Sequence, residues 1–170
     1  VCAGDELVTG IATPLETGPI NDALISHAQR LGIFDSVNGH EPRRAPGYGI
    51  TYSLWIQTIR PFAPRAGLAV TSLALIYNTR LQLPIPADAD SLDAMDPHLS
   101  DATLAMLASL SADFTLDGLV DGNIDLLGAT GVQFGLGAEA GYLEQDGTLY
   151  RVQMLTIPII CNNVLPQAPS

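Results

Sequence analysis

Two long segments in the middle of the chain alternate between apolar and polar residues, as a strand with one buried face does. From Ile50 to Ile59, one side carries Ile50, Tyr52, Leu54 and Ile56. From about Val70 to Leu83, one side carries Leu73, Leu75, Tyr77, Thr79 and Leu81. The connecting segment RPFAPRAG contains two prolines and a glycine, which exclude a tight two-residue turn. We therefore expect two long strands joined by a projecting loop or an extended hairpin tip.

Two further segments have helical spacing. The first begins at Pro19, ends before Gly32 and places on one face the residues Ile20, Leu24, Ala28 and Leu31. The second is expected to begin at Asp96-Pro97, with the aspartate as cap and the proline in the first turn. Its apolar stripe is Leu99, Thr103, Met106, Leu107 and Leu110. His27, on the first helix, is interpreted as a flanking or interface residue.

The remaining strands are shorter or carry stronger turn signals. Phe34 to Val37 could form a short strand before Asn38-Gly39, and a strand-like stretch runs from about Gly118 to Leu127. Near the end of the chain, a hairpin turning at Gln145-Asp146-Gly147 is expected, with strands from roughly Ala138 to Glu144 and from Thr148 to Cys161. Pro158 favours an edge position for the last strand, or a departure from the sheet.

This order predicts an α+β fold: a single domain with a mostly antiparallel mixed sheet and two main helices packed on it, in the order α-β-β-α-β-β-β. A length of 170 residues fits one domain. We assign residues 1–18 to an N-terminal arm, 19–163 to the domain and 164–170 to a C-terminal tail. Both terminal segments are expected to be extended.

Charge is strongly segregated along the chain. All seven basic residues are arginines, and none lies between Leu81 and Tyr150, which hold twelve of the eighteen acidic residues. Residues 1–80 carry as many arginines as acids and are neutral. This pattern predicts two surfaces with different roles, one of them strongly acidic. A well-solvated acidic face without a partner is the simpler alternative.

Four of the six arginines of the neutral half flank the loops on either side of the first long strand. Because arginine is favoured over lysine at protein interfaces, we predict that they bind an acidic neighbour. The candidate interface residues are Arg43, Arg44, Arg60, Arg65 and Phe62. The candidate residues of the acidic surface are Asp88, Asp90, Asp93, Asp117, Asp121 and Asp125.

The motif search indicates no catalytic or metal site and no cofactor. The aspartates from position 88 resemble a calcium loop only superficially, because the sixth position is Asp93 and the twelfth is Leu99. No GxSxG, GxGxxG, HExxH or CxxC motif occurs, and Cys2 and Cys161 predict no disulfide framework. We expect a reducing compartment, no secretory signal and no membrane span. The acidic net charge of −11 opposes sequence-specific nucleic-acid binding.

Two strings resemble a known family. DALISHAQRLGIFDSVNGHEPRRAPG, from Asp22 to Gly47, and GYLEQDGTLYRVQMLTIPI, from Gly141 to Ile159, are similar to segments of the tail terminator proteins of long-tailed bacteriophages, notably phages of high-GC actinobacteria. The resemblance covers about Pro19 to Asn163. The helix and loop of the first string are the distinctive part, whereas a hairpin turning at Asp-Gly is common.

The resemblance implies a structural virion protein without a catalytic site, assembled in the host cytoplasm. Members form a ring, usually a hexamer, that caps the tail tube and joins it to the head-to-tail connector while genome DNA passes through the lumen. The expected partners are therefore other copies of the chain, the tail tube protein and the connector. No catalytic residue can be transferred, because the family has no catalytic motif.

Two other functions stay open. A head-to-tail connector or head-closure component of the phage neck would share the virion setting. A small acidic hydrolase would belong to a different class, because its twelve clustered acids offer many carboxylate pairs for acid–base chemistry. The hydrolase hypothesis requires a deep pocket that contains a carboxyl group of raised pKa.

Overall fold

A computed structural model describes residues 15–62, 72–87, 89–119, 121–131 and 135–165, without the side chains of residues 62 and 89–92. Its helices are α1, Gly18–Leu31, and α2, Ala89–Ala112, and a 3₁₀ turn spans Leu116–Gly118. Its strands are β1 (Ser36–Asn38), β2 (Thr51–Phe62), β3 (Ser72–Pro84), β4 (Gly122–Ile124), β5 (Gly137–Gln145) and β6 (Thr148–Cys161). The predicted α+β order is confirmed, with β1 as the expected short additional strand. Residues 63–67 of the expected loop at 60–67 lie outside the described residues, as do residues 1–14 of the expected N-terminal arm and 166–170 of the expected C-terminal tail.

The strands form one mixed sheet. Its order is β1-β2-β3-β6, and β4 and β5 lie one after the other along the remaining edge of β6. Only the pairing of β1 with β2 is parallel, so the sheet is mostly antiparallel, as predicted. A β-bulge interrupts the register between β2 and β3 at Gln57.

Both helices pack on one face of the sheet, which we call the helix face. Its buried apolar side chains come from alternate positions of the three long strands, in agreement with the alternation in the sequence. They include Tyr52, Leu54, Leu75, Tyr77, Leu81, Leu155, Ile157 and Ile159. Leu15 and Val164, which the sequence places in the terminal segments, also pack against this core. The domain therefore extends slightly beyond its predicted limits.

Helix α1 has the predicted boundaries. Pro19 lies in its first turn, and Gly32 ends it in the left-handed region at φ 64°. The buried face contains Ile20, Leu24 and Ala28, as the spacing predicts, and also His27.

The predicted start of α2 at Asp96-Pro97 is wrong. The helix begins at Ala89, so Pro97 lies inside it and removes one backbone donor from the helical hydrogen-bond ladder. Met95, in the part that precedes the proline, is buried and lines an apolar depression together with Leu83 and Pro86. Packing of this N-terminal third of α2 against the end of β3 offsets the cost of the proline.

Pro158 does not mark an edge or an exit from the sheet. It pairs with Ile76 of β3, and β6 continues to Cys161. Its carbonyl accepts a hydrogen bond from the Asp125 N–H at 2.8 Å. On this edge of β6, the pairing with β5 ends at Thr156 and the pairing with β4 starts at Ile159. Because the N and C=O of one strand residue face the same edge, the missing N–H falls in this gap and breaks no ladder bond.

Candidate functional site

The segment 39–49, between β1 and β2, is a loop that lies against the face of the sheet opposite the helices. We call it the arginine loop, because Arg43 and Arg44 lie at its centre. Tyr150 and Val152 alternate with the core residues of β6 and therefore face away from the helices, yet both are buried. Thr51 and Gln82 on the same face are also buried. The loop contacts this face through Tyr150, as the following contacts show.

The loop is held on both sides of its arginine pair. Before the pair, the Glu41 carboxylate lies 3.5 Å from the Arg80 guanidinium, and Gln145 Nε2 donates to the Pro42 carbonyl at 3.3 Å. After the pair, the Ala45 N–H donates to the Asp146 carboxylate at 2.7 Å, and the Tyr150 hydroxyl donates to the Pro46 carbonyl at 2.8 Å. These four contacts fix the backbone that presents Arg43 and Arg44.

Both ends of the loop are also fixed. The Arg80 guanidinium stacks over the Trp55 ring at 5.2 Å, which positions the cation that contacts Glu41. Before β2, the Asp35 carboxylate accepts a hydrogen bond from the Ile50 N–H at 2.8 Å. Gly49 is required beside it, because its φ is +80° and a Cβ there would lie 2.1 Å from Asp35 Oδ2.

Arg43 and Arg44 are exposed, and within the described residues neither forms an ion pair. They line a depression of about 600 Å³ together with Pro42, Pro46, Tyr48 and Thr51. The Tyr48 side chain is 89% exposed. The geometry presents two guanidinium groups and one aromatic ring on a constrained backbone, which suits binding of carboxylates.

The other predicted interface residues lie elsewhere. Arg60 is exposed near the far end of β2, nine residues and therefore roughly 30 Å from Thr51 at the rise of a strand. Phe62 is the last residue of β2, and its side chain lies outside the described part, as does the whole of Arg65. Arg60 therefore belongs to a different surface from Arg43 and Arg44.

The predicted acidic surface is only partly observed. Asp93, Asp117 and Asp121 are exposed, whereas Asp88 and the side chain of Asp90 lie outside the described residues. The Asp121 carboxylate accepts a hydrogen bond from Asn163 Nδ2 at 2.7 Å, which connects the residue before β4 to the segment after β6. Other exposed acids in this half of the chain include Asp101, Glu139 and Glu144.

Asp125 is not a surface residue, so its assignment to the acidic surface is wrong. It is 6% exposed, and its carboxylate accepts hydrogen bonds from the N–H groups of Ala129 at 2.9 Å and Thr130 at 3.0 Å, and from the Thr130 hydroxyl. Burial raises the pKa of Asp125, but the hydrogen bonds from Thr130, Ala129 and Gly128 outweigh it and lower that pKa below its usual range. Asp125 thus organises the loop after β4.

A polar cluster missed by the sequence analysis joins the two helices. His27 is 3% exposed; its Nδ1 lies 2.8 Å from Ser109 Oγ and its Nε2 lies 3.1 Å from the Asp113 carboxylate. Arg30 approaches the same Nδ1 at 3.2 Å. Helical spacing could have indicated that His27 is buried, because it lies seven residues after Ile20 and therefore on the apolar face of α1.

The serine, histidine and aspartate of this cluster have the composition of a nucleophilic triad but not its setting. Ser109 lies inside α2, where the backbone N–H groups are used by the helix and supply no oxyanion hole. The neighbouring depression is lined by His27 and Asp113 and not by Ser109. The arrangement is suited to holding α1 against α2.

The only arginine that follows the acidic half is bound within the fold. Arg151 Nε donates to Asp96 at 2.7 Å, and its guanidinium lies 4.6 Å from the Tyr142 ring. The hydrogen bond that Arg151 donates to Asp96 raises the pKa of Arg151 above its usual range. This contact joins β6 to the helix α2.

Within the described residues, no group of histidine, cysteine or acidic side chains is placed to hold a metal ion. None of the helices in that part of the chain is both long and apolar enough to cross a membrane. The chain matches no protein-family model, and no curated protein is significantly similar to it.

Proposed function

We propose that this chain is a non-catalytic virion protein, a ring-forming tail terminator that caps the tail tube of a long-tailed phage and joins it to the head-to-tail connector. The observation that carries the proposal is the arginine loop, in which the backbone on both sides of Arg43 and Arg44 is held by contacts to β3, β6 and the β5–β6 turn. A binding element of this kind needs a separate acidic partner.

Preorganisation makes such a loop effective at an interface. A flexible loop loses conformational entropy when a partner fixes it, whereas this loop is already fixed before binding. Arginine adds bidentate hydrogen bonds to carboxylates, which a lysine cannot reproduce. The loop therefore supports a role in specific docking.

A cyclic ring joins unlike surfaces, because each subunit presents one face to the next subunit and a different face to the previous one. The chain carries both kinds of charge needed for such a contact: the exposed arginine pair, and exposed acids including Asp93, Asp101 and Glu139. We propose that copies of the chain, the tail tube protein and the connector are its partners. The acidic lumen of such a ring would repel genome DNA and allow its passage.

Assembly state is the first test. We expect native mass spectrometry and negative-stain microscopy to show closed rings, alone or after addition of tail tubes. A monomer at micromolar concentration in both conditions would overturn the proposal. Localisation by cryo-electron microscopy then separates a terminator, on the end of the tail tube, from a head-closure component in the layer nearer the head.

A further inference from the structure

The sheet has two edges without a strand partner in the described ranges. β5 pairs with β6 along one side only, which leaves the other edge of Gly137–Gln145 open. β2 pairs with β3 along its length but with β1 only at Thr51, Tyr52 and Ser53, so the outer edge from Leu54 to Phe62 is also open. Open edges present backbone donors and acceptors that can accept another strand.

We infer that the open edge of β5 in one copy pairs with the end of β2 in the next copy, so that the sheets of a ring are continuous. This inference rests on the proposed ring and names the contact that builds it. The partner is a second copy because the two edges lie at opposite sides of one sheet and carry opposite charge, Arg60 on β2 and Glu139 on β5.

Strand direction permits the pairing. β2, β3, β6 and β5 alternate in direction, since each neighbouring pair is antiparallel. If the symmetry axis of the ring runs parallel to the strands, rotation from one copy to the next leaves the strand directions unchanged. The β5 strand of one copy therefore meets the β2 strand of the next in antiparallel orientation. No reversal or strand exchange is needed.

The β-bulge at Gln57 separates the last residues of β2 from the rest of the strand, and the opposite charges of Arg60 and Glu139 select the register within that segment. Aligning Thr58–Phe62 antiparallel to Gly137–Gly141 places Arg60 opposite Glu139 and Ile59 opposite Ala140. Residues directly opposite one another in a sheet must have their side chains on the same face. Arg60 and Glu139 satisfy this requirement.

Existing pairs establish the faces. Arg60 pairs with Ala74, which pairs with Ile160, whereas Glu139 pairs with Met154. Ile160 and Met154 are an even number of residues apart on β6 and share its face away from the helices. Arg60 and Glu139 therefore point to the same face, and Ile59 and Ala140 to the other.

The contact also accounts for exposed side chains. Arg60 and Glu139 are both exposed and form an oppositely charged cross-strand pair in this register. Ile59 is 57% exposed, although it lies on the helix face, and pairing would cover it.

Charge exchange tests the pair. Arg60→Glu or Glu139→Arg alone should lower ring affinity by roughly tenfold or more, because each places like charges opposite one another. The double variant Arg60→Glu/Glu139→Arg should restore assembly. Glu144→Arg is the matched control, since it lies on the same strand outside the paired segment and should have the smaller effect.

Cross-linking tests the register. In a Cys2→Ser background, Arg60→Cys with Glu139→Cys should give a ladder of disulfide-linked oligomers up to the size of the ring, because opposed Cβ atoms lie about 5 Å apart. Ile59→Cys with Glu139→Cys places the thiols on opposite faces and should give no ladder.

The outcomes separate the two proposals. Rings that form normally, show no disulfide-linked oligomers and are unaffected by the Arg60 and Glu139 substitutions would overturn the edge pairing. The proposed function would remain intact. A chain that stays monomeric even with tail tubes would overturn both.

Discussion

His27 Nε2 lies 3.1 Å from the Asp113 carboxylate, which joins the buried face of α1 to the residue that follows α2. Asp113 also accepts a hydrogen bond from the Asp117 N–H at 2.8 Å, so the same carboxylate fixes the turn after the helix. One buried polar contact thus orders two helices and the beginning of the following connection.

Replacing His27 with phenylalanine should reduce the free energy of unfolding by about 1–3 kcal/mol, because Ser109 and Asp113 lose their partner in a partly buried site. Urea unfolding followed by circular dichroism measures the change. Gln29→Ala, on the exposed side of α1, is the control and should stay within about 0.5 kcal/mol of the parent. Equal effects of the two substitutions would contradict the role assigned to His27.

Replacing Arg43 and Arg44 together with glutamate should weaken ring formation or docking to tail tubes without unfolding the protein. Both side chains are exposed, and substitutions at such positions change stability by about 0.5 kcal/mol at most. Sedimentation velocity with tail tubes measures assembly, and thermal unfolding measures stability. Arg43→Lys/Arg44→Lys keeps the charge and removes bidentate geometry, so we expect an intermediate effect. Unchanged assembly in the glutamate variant would show that the pair has no docking role.

Asp125 should contribute to the loss of stability in acid. Its pKa is lowered in the folded protein, so its stabilising contribution is fully present above the unfolded pKa, about 3.9, and is lost as pH falls through the folded pKa. Asp125→Asn should therefore flatten the decline of the free energy of unfolding below about pH 4. Asp93→Asn is the matched control, because the Asp93 side chain is exposed on α2. An unchanged acid profile in Asp125→Asn would contradict this assignment.

Cys161 should be unreactive in the native protein. It is fully buried, and burial raises the pKa of its thiol to about 11, so little thiolate is present near pH 8. In a Cys2→Ser variant, a thiol-reactive disulfide reagent should label Cys161 only as denaturant unfolds the domain. Rapid labelling without denaturant would show that the end of β6 opens readily.

Gln82 offers a route to greater stability. Its side chain is fully buried, and both amide atoms are without a hydrogen-bond partner within the described part of the chain. Gln82→Met keeps the approximate volume and removes the two unsatisfied groups, so we expect the free energy of unfolding to rise by about 1 kcal/mol. Chemical denaturation measures it, and a loss of stability would show that the amide has a partner.

The periodic elements of the fold were accessible from the sequence. The alternation in β2 and β3, the spacing in α1 and the Asp-Gly turn before β6 reflect local preferences that each segment expresses by itself. The start of α2 was missed because Met95 and its neighbours pack against β3, and this tertiary contact outweighs the local preference of Pro97 for a first turn.

The candidate site was less accessible. Composition identified Arg43 and Arg44, but their support comes from Arg80, Gln145, Asp146 and Tyr150, residues that no local pattern connects to them. Asp125 was misassigned for a related reason. A count of acids does not distinguish a solvated carboxylate from one that binds the backbone of its own loop.

The support of the arginine loop also has a temporal consequence. Gln145, Asp146 and Tyr150 follow the loop by more than one hundred positions, so during synthesis the ribosome releases the arginine pair long before its supports exist. The docking element can reach its final shape only when the last hairpin has joined the sheet. An unfinished or C-terminally truncated polypeptide would therefore lack three of the four contacts that hold the loop around Arg43 and Arg44.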